Sequence, residues 1–156
     1  MAQPNAVAPS PDAVAATVVH LLPTLIRALV AEMHNAPETA GMTLPQFRVL
    51  ARLNQREYRA AELADALEVG RPTLTATVDG LERRGLVERT REVPGDRRGV
   101  SLRLTPPGQA LYRMLHERAI AGVDGLLAEA TPDERAALGT GLAALERGLQ
   151  RAGRSR

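Results

Sequence analysis

Among 156 residues the chain has no cysteine and no lysine, and its aromatic residues are two Tyr and one Phe. Without cysteine there is no disulfide, no thiolate metal ligand and no thiol redox sensor. So few rings leave little π-surface from which to build a ligand site. The histidines, His20, His34 and His116, lack the close paired spacing of a zinc site. Also absent are a Gly-rich phosphate loop, a nucleophile elbow, an HExxH pair and a catalytic acid pair. The motifs therefore give no enzyme, no cofactor and no metal. A positively charged leader is missing too, since the first basic residue is Arg27. The apolar stretch from Val14 to Val30 is interrupted by His20, Pro23 and Arg27, which makes it a poor bilayer span. The expected setting is the cytoplasm, without a membrane partner.

The formal net charge is only +2, and all 20 basic residues are arginine. Arginine-only usage beside abundant Ala and Leu fits a GC-rich genome. Its distribution is uneven. Between Arg71 and Arg103 stand eight arginines against five carboxylates. In the same region, "VPGDRRGVSLRLT" (93–105) places Arg97 and Arg98 at a Pro-Gly turn ahead of an alternating run. Val100, Leu102 and Leu104 point one way, Ser101 and Arg103 the other, the period of a half-buried strand. "VERTREV" before it alternates as well, so the two runs predict a hairpin with a cationic tip.

Residues 1–11, "MAQPNAVAPSP", are Pro-rich and aperiodic, as in a flexible arm. A long helix is predicted from Asp12 to about Asn35, and Pro23 should kink or locally break it. Its only full charge between Ala13 and Ala31 is Arg27. A helix apolar nearly all round must be buried on more than one side, and a small domain covers one face at most. The other face is expected to meet a partner chain. Thr43 and Gln46 fit a capping box for a helix with Pro45 in its first turn, whose apolar stripe includes Phe47, Val49, Leu50 and Leu53. "AAELADALEVG" predicts a short helix ending near Val69-Gly70. "RPTLTATVDGLERRG" opens another at Pro72 and ends at Gly85. Thr105-Pro106 caps a helix carrying Leu111, Leu115, Ala119, Val123 and Leu126. "TPDE" (131–134) caps a last one carrying Leu138, Leu142, Leu145 and Leu149.

Two short helices joined by a Gly-containing corner suggest a helix-turn-helix. On the second helix Leu74, Val78 and Leu81 share the core face. The opposite face carries Pro72, Ala76, Asp79 and Arg83, flanked by Thr73 and Thr75, with Arg71 at the N-terminal end. Small side chains let a helix backbone approach a groove floor, and threonine meets bases or thymine methyls. A basic hairpin directly after such a pair is the winged-helix layout. Its tip arginines lie beside the neighbouring minor groove, whose negative potential attracts Arg. Arg89 and Arg91 on the first wing strand add to the expected footprint on double-stranded DNA. A helical adaptor that uses a degenerate winged helix to bind protein is the alternative reading.

"TLPQFRVLARL", "AAELADALEVGRPTLTATVDGLERRGLVER", "GDRRGVSLRLTPPGQAL" and "TPDERAALGTGLAALERGL" together resemble the MarR family of winged helix-turn-helix transcription regulators, from about Asp12 to Arg151. The resemblance implies a mainly α fold with a small antiparallel hairpin wing. It divides the chain into the arm (1–11), a helical dimerisation region (12–36 and 105–152) and the DNA-binding domain (43–104). It implies a homodimer, with Val18, Leu22, Leu25 and Leu29 of the first helix and Leu138, Leu142, Leu145 and Leu149 of the last in the interface. It implies a regulator, by family habit a repressor, on a palindromic operator. The family wing pattern is filled by Asp96 and Arg98: Asp96 steadies the arginine that enters the minor groove, and Arg97 is a neighbouring phosphate contact. Small aromatic acids or phenols often act as effectors between the dimerisation helices and the winged helix. His34, Phe47, Arg48 and Tyr112 are the candidates for that role, although Phe47 also fits plain core. Gly70 stands where many members carry Ser or Thr, which weakens that cap. The peroxide-sensing branch needs a cysteine near the first helix, and this chain has none.

Overall fold

The computed structural model describes residues 10–34, 37–39, 41–91 and 100–154. Helix α1 (Pro11–His34) is followed by a 3₁₀ turn (Pro37–Thr39), α2 (Leu44–Leu53), β1 (Tyr58–Arg59), α3 (Ala60–Leu67) and α4 (Arg71–Arg83). Strands β2 (Val87–Arg91) and β3 (Val100–Leu104) come next, then α5 (Pro106–Leu126) and α6 (Pro132–Arg154). The chain is mainly α with one small antiparallel sheet, as expected. It forms two compact units, Met1–Ile120 and Ala121–Arg156.

In the first unit, α2 begins where its sequence says it should. The Thr43 hydroxyl accepts from the Gln46 amide (3.4 Å), and the Gln46 side chain accepts from the Thr43 amide (3.1 Å). This reciprocal cap satisfies two amides that have no partner within the helix. Val49, Leu50 and Leu53 of α2 then bury against Leu63, Ala64 and Leu67 of α3 and Leu74, Val78 and Leu81 of α4. Each fully buried leucine contributes roughly 1.5–3 kcal/mol. The sheet closes this core with strand order β1-β3-β2. Val87 pairs with Leu104, Arg89 with Leu102 and Tyr58 with Leu102, so these side chains share the inner face. Glu88 opposite Arg103 marks the outer face.

Several expectations are corrected. The wing is part of a three-stranded sheet, because the two-residue β1 pairs with β3. Ser101, expected to point outward, is buried: it lies on the central strand between β1 and β2. Helix α1 passes through Pro23 without a break. One missing amide removes a single helical hydrogen bond, and the bonds on either side carry the helix through. By length and composition Asp12–Glu32 is apolar enough to cross a membrane (mean hydropathy 1.8), so its three interruptions weigh less than the sequence reading gave them. No face of α1 is buried by its own chain from Asp12 to Arg27; Val19 is 71% exposed and Leu22 51%. Among its described side chains, Ala28, Leu29, Val30 and Glu32 are half-buried.

The second unit is the end of α5 and all of α6. Thr131 and Glu134 form the predicted capping box, with the Glu134 amide donating to the Thr131 hydroxyl (3.3 Å) and the Thr131 amide to the Glu134 carboxylate (2.8 Å). Arg135 closes the turn by donating to Asp124 (2.9 Å) and to the Leu127 carbonyl (2.6 Å). Leu126, near the end of α5, is 63% exposed.

Candidate nucleic-acid interface

The corner between α3 and α4 sets the direction of α4. After Leu67 the backbone turns through Glu68 in the left-handed region (φ 54°, ψ 44°), and the Val69 amide returns to the Ala64 carbonyl (3.0 Å). A residue other than glycine held there costs about 1–2 kcal/mol. Two arginines of α2 brace the corner. Arg48 donates from Nη2 to the Leu67 carbonyl (2.9 Å), and Arg52 donates from Nη2 to the Ala66 carbonyl (3.4 Å). Carbonyls in the last turn of a helix lack helical partners, and cations favour that end. At the other end of α3, Arg56 pairs with Glu62 in the first turn (2.5 Å) while lying 3.7 Å over the Tyr58 ring. The Arg56 guanidinium holds the Glu62 carboxyl below the usual carboxylate range.

Helix α4 divides into the two faces predicted for it. Leu74, Val78 and Leu81 are buried; Arg71, Pro72, Thr73, Thr75, Ala76 and Arg83 are exposed, and Asp79 is half-buried. Gly70 precedes the helix without a side-chain cap, as expected. Thr75 donates its hydroxyl proton to the Arg71 carbonyl (2.9 Å), and Thr77 donates to the Thr73 carbonyl (2.9 Å). With its proton turned back onto the helix, Thr75 offers a hydroxyl oxygen as acceptor and a methyl group for apolar contact.

The wing base is rich in ion pairs. Arg103 on the outer face binds Glu88 (2.7 Å) and approaches Glu57 (4.0 Å). Arg89 reaches from β2 to two carboxylates of α4, Asp79 (2.5 Å) and Glu82. Asp96, Arg97 and Arg98 of the predicted tip lie outside the described residues, as does the side chain of Arg91.

Of the four effector candidates, two come together. The Phe47 ring stacks on Tyr112 (centroids 5.9 Å, 24° between planes), and Tyr112 stacks on His116 (5.6 Å, 16°). Phe47 is packed against the core but half-buried, so it is neither plain core nor free surface. Arg48 is directed instead at the end of α3, and the His34 side chain lies outside the described residues. His116 was missed as a ring partner, although its i+4 spacing from Tyr112 on α5 was a local signal. Arg48 and Arg52 as braces had no such signal, since their acceptors lie 19 and 14 residues away.

A family model described as MarR family matches residues 40–99, a span that holds α2, β1, α3, α4 and β2. The chain is 30% identical over 112 residues to the uncharacterized HTH-type transcriptional regulator YfiV of Bacillus subtilis, covering 71% of this chain and 69% of that one. It is 32% identical over 108 residues to the HTH-type transcriptional repressor MdtR of the same organism, covering 69% and 66%. Among solved structures, RV1404 from Mycobacterium tuberculosis superposes with a TM-score of 0.77 at 25% identity, over 92% of this chain and 97% of that one. The α3–α4 corner, the antiparallel strands directly after it and these likenesses agree: the chain belongs to the MarR family of DNA-binding winged helix-turn-helix transcription regulators.

Proposed function

We propose that the protein works as a homodimeric repressor on a palindromic operator and is released by a small aromatic acid or phenol. The observation that carries the dimer is α1, a 24-residue helix whose apolar side chains from Ala13 to Ile26 stand in solvent in the single chain. Val18, Leu22 and Leu25 of α1 are exposed, as are Leu138, Leu142, Leu145 and Leu149 of α6. Apolar surface on this scale marks an interaction site, and a second copy of the chain offers the same surface in return. A dimer then presents two copies of α4, which read base edges through Thr73, Thr75 and Ala76. Arg71, Arg83 and the wing-tip arginines contact phosphate or the minor groove. The repressor sense is supported by MdtR, whose name describes a repressor. The effector class is supported by the Phe47–Tyr112–His116 stack, which joins α2 to α5 and suits a planar ring. Duplex DNA as the partner makes the cytoplasm the place of action.

Selection from a random duplex library with the full chain tests this reading. The expected product is an imperfect palindrome bound in a steeply salt-dependent way. Aromatic carboxylates or phenols should then weaken that complex by roughly 5- to 150-fold, the span of ordinary allosteric coupling. Retention of unrelated sequences without symmetry would overturn the proposal. A complex unmoved by any such compound would remove its effector half.

A further inference from the structure

The geometry points to Arg89 as a positioning residue that fixes the wing to the recognition helix, in place of the phosphate contact that its position in the basic region suggests. Arg89 lies on the inner face of the sheet, opposite Leu102, and its guanidinium emerges at the edge where β2 passes α4. There Nη2 meets Asp79 (2.5 Å) and Nη1 meets Glu82. These carboxylates stand three residues apart on α4 and therefore on one side of it. Both terminal nitrogens are thus engaged, and one positive charge faces two negative ones. The local balance is acidic, so a phosphate would have to displace a carboxylate from a planar fork that already fits it. The polymer supplies the rest of the constraint. β2 follows α4 after only Arg84, Gly85 and Leu86, and the Arg89 bridge closes that short connection into a ring. Thr105, at the far end of the hairpin, donates its hydroxyl to the Gly85 carbonyl (2.6 Å) and its amide to the Leu86 carbonyl (3.1 Å). The angle between α4 and the hairpin is therefore held from both strands.

The inference rests on the operator-binding reading, and the experiment separates the two. Full-length wild type, Arg89→Gln and the double variant Asp79→Asn/Glu82→Gln are titrated by anisotropy across a salt series. The probes are the duplex selected by wild type and a scrambled duplex of equal composition. As a positioning residue, Arg89 should cost roughly three- to tenfold in operator affinity when replaced by Gln. The slope of log affinity against log salt should stay that of wild type. The double variant, which keeps Arg89 but removes its partners, should lose operator-over-scrambled preference to a similar degree. A phosphate contact behaves in the opposite way. Arg89→Gln would then flatten the slope by about 0.9 per contact, or about two per dimer. The double variant would release the guanidinium and bind the operator more tightly with preference intact. Either result overturns the inference while leaving operator binding standing. If Arg89→Gln fails to fold, the double variant decides alone. If wild type selects no duplex, both the regulator reading and this role for Arg89 fall.

Discussion

Gly108 leaves no space for a side chain. A Cβ built there would lie 2.0 Å from the Leu86 carbonyl oxygen and 2.9 Å from its carbon, and both are backbone atoms that have no rotamer to change. The same carbonyl accepts from the Thr105 amide, and the Thr105 hydroxyl accepts from the Gly108 amide (3.1 Å). Thr105 and Gly108 therefore seat the start of α5 on the segment that leaves α4. Gly108→Ala should force the two apart and destabilise the fold by about 3 kcal/mol, the upper range for overpacking. Urea denaturation checks this; a loss below about 0.5 kcal/mol would mean that the approach relaxes freely. Gly85 serves the same junction differently, since its φ of +68° turns the chain out of α4 in a region that glycine enters without strain.

Caps and stripes are where the chain declares its helices. Thr43 with Gln46 and Thr131 with Glu134 each carry both halves of a capping box within four residues, so the starts of α2 and α6 were legible. The Glu134 carboxylate accepts from the Thr131 amide and hydroxyl, and these bonds hold its pKa below the ordinary 4.5. Because the folded value lies below the unfolded one, the bond stabilises α6 above about pH 4.5 and is lost as pH falls through the lowered value. An NMR titration of the Thr131 amide should show a midpoint below 4.5; one at or above it would contradict the cap. The core face of α4 was equally readable, since Leu74, Val78 and Leu81 follow the helical period. What escaped the sequence depends on partners far along the chain. Tyr58 and Arg59 are too few to show alternation and become a strand only through β3. Arg48 looked like a ligand contact because nothing beside it reveals the carbonyl it caps on α3. Arg89 and Asp79, both read as part of the DNA-facing surface, pair with each other across ten residues of sequence.

Taken as one chain, the structure is unfinished at α1 and α6. Among the described residues thirteen large apolar side chains are exposed, and eleven of them lie on these two helices. In the proposed dimer Leu25→Arg or Leu142→Arg would bury an unpaired charge and cost about 3 kcal/mol or more. Sedimentation should then find monomer where wild type is dimeric; a well-folded wild-type monomer at micromolar concentration would dismiss the interface. Symmetry of the dimer carries a stronger consequence for DNA. Two copies of α4 related by a two-fold axis reach the same side of a duplex only if the half-sites are centred about 10 bp apart, or a small multiple of that. The decisive measurement is the affinity of the full chain for its selected operator before and after a 5-bp insertion between the half-sites. The insertion turns one half-site to the opposite side of the helix. The account predicts a fall of about a hundredfold or more, towards the affinity for scrambled DNA. An affinity unchanged within about twofold would contradict it.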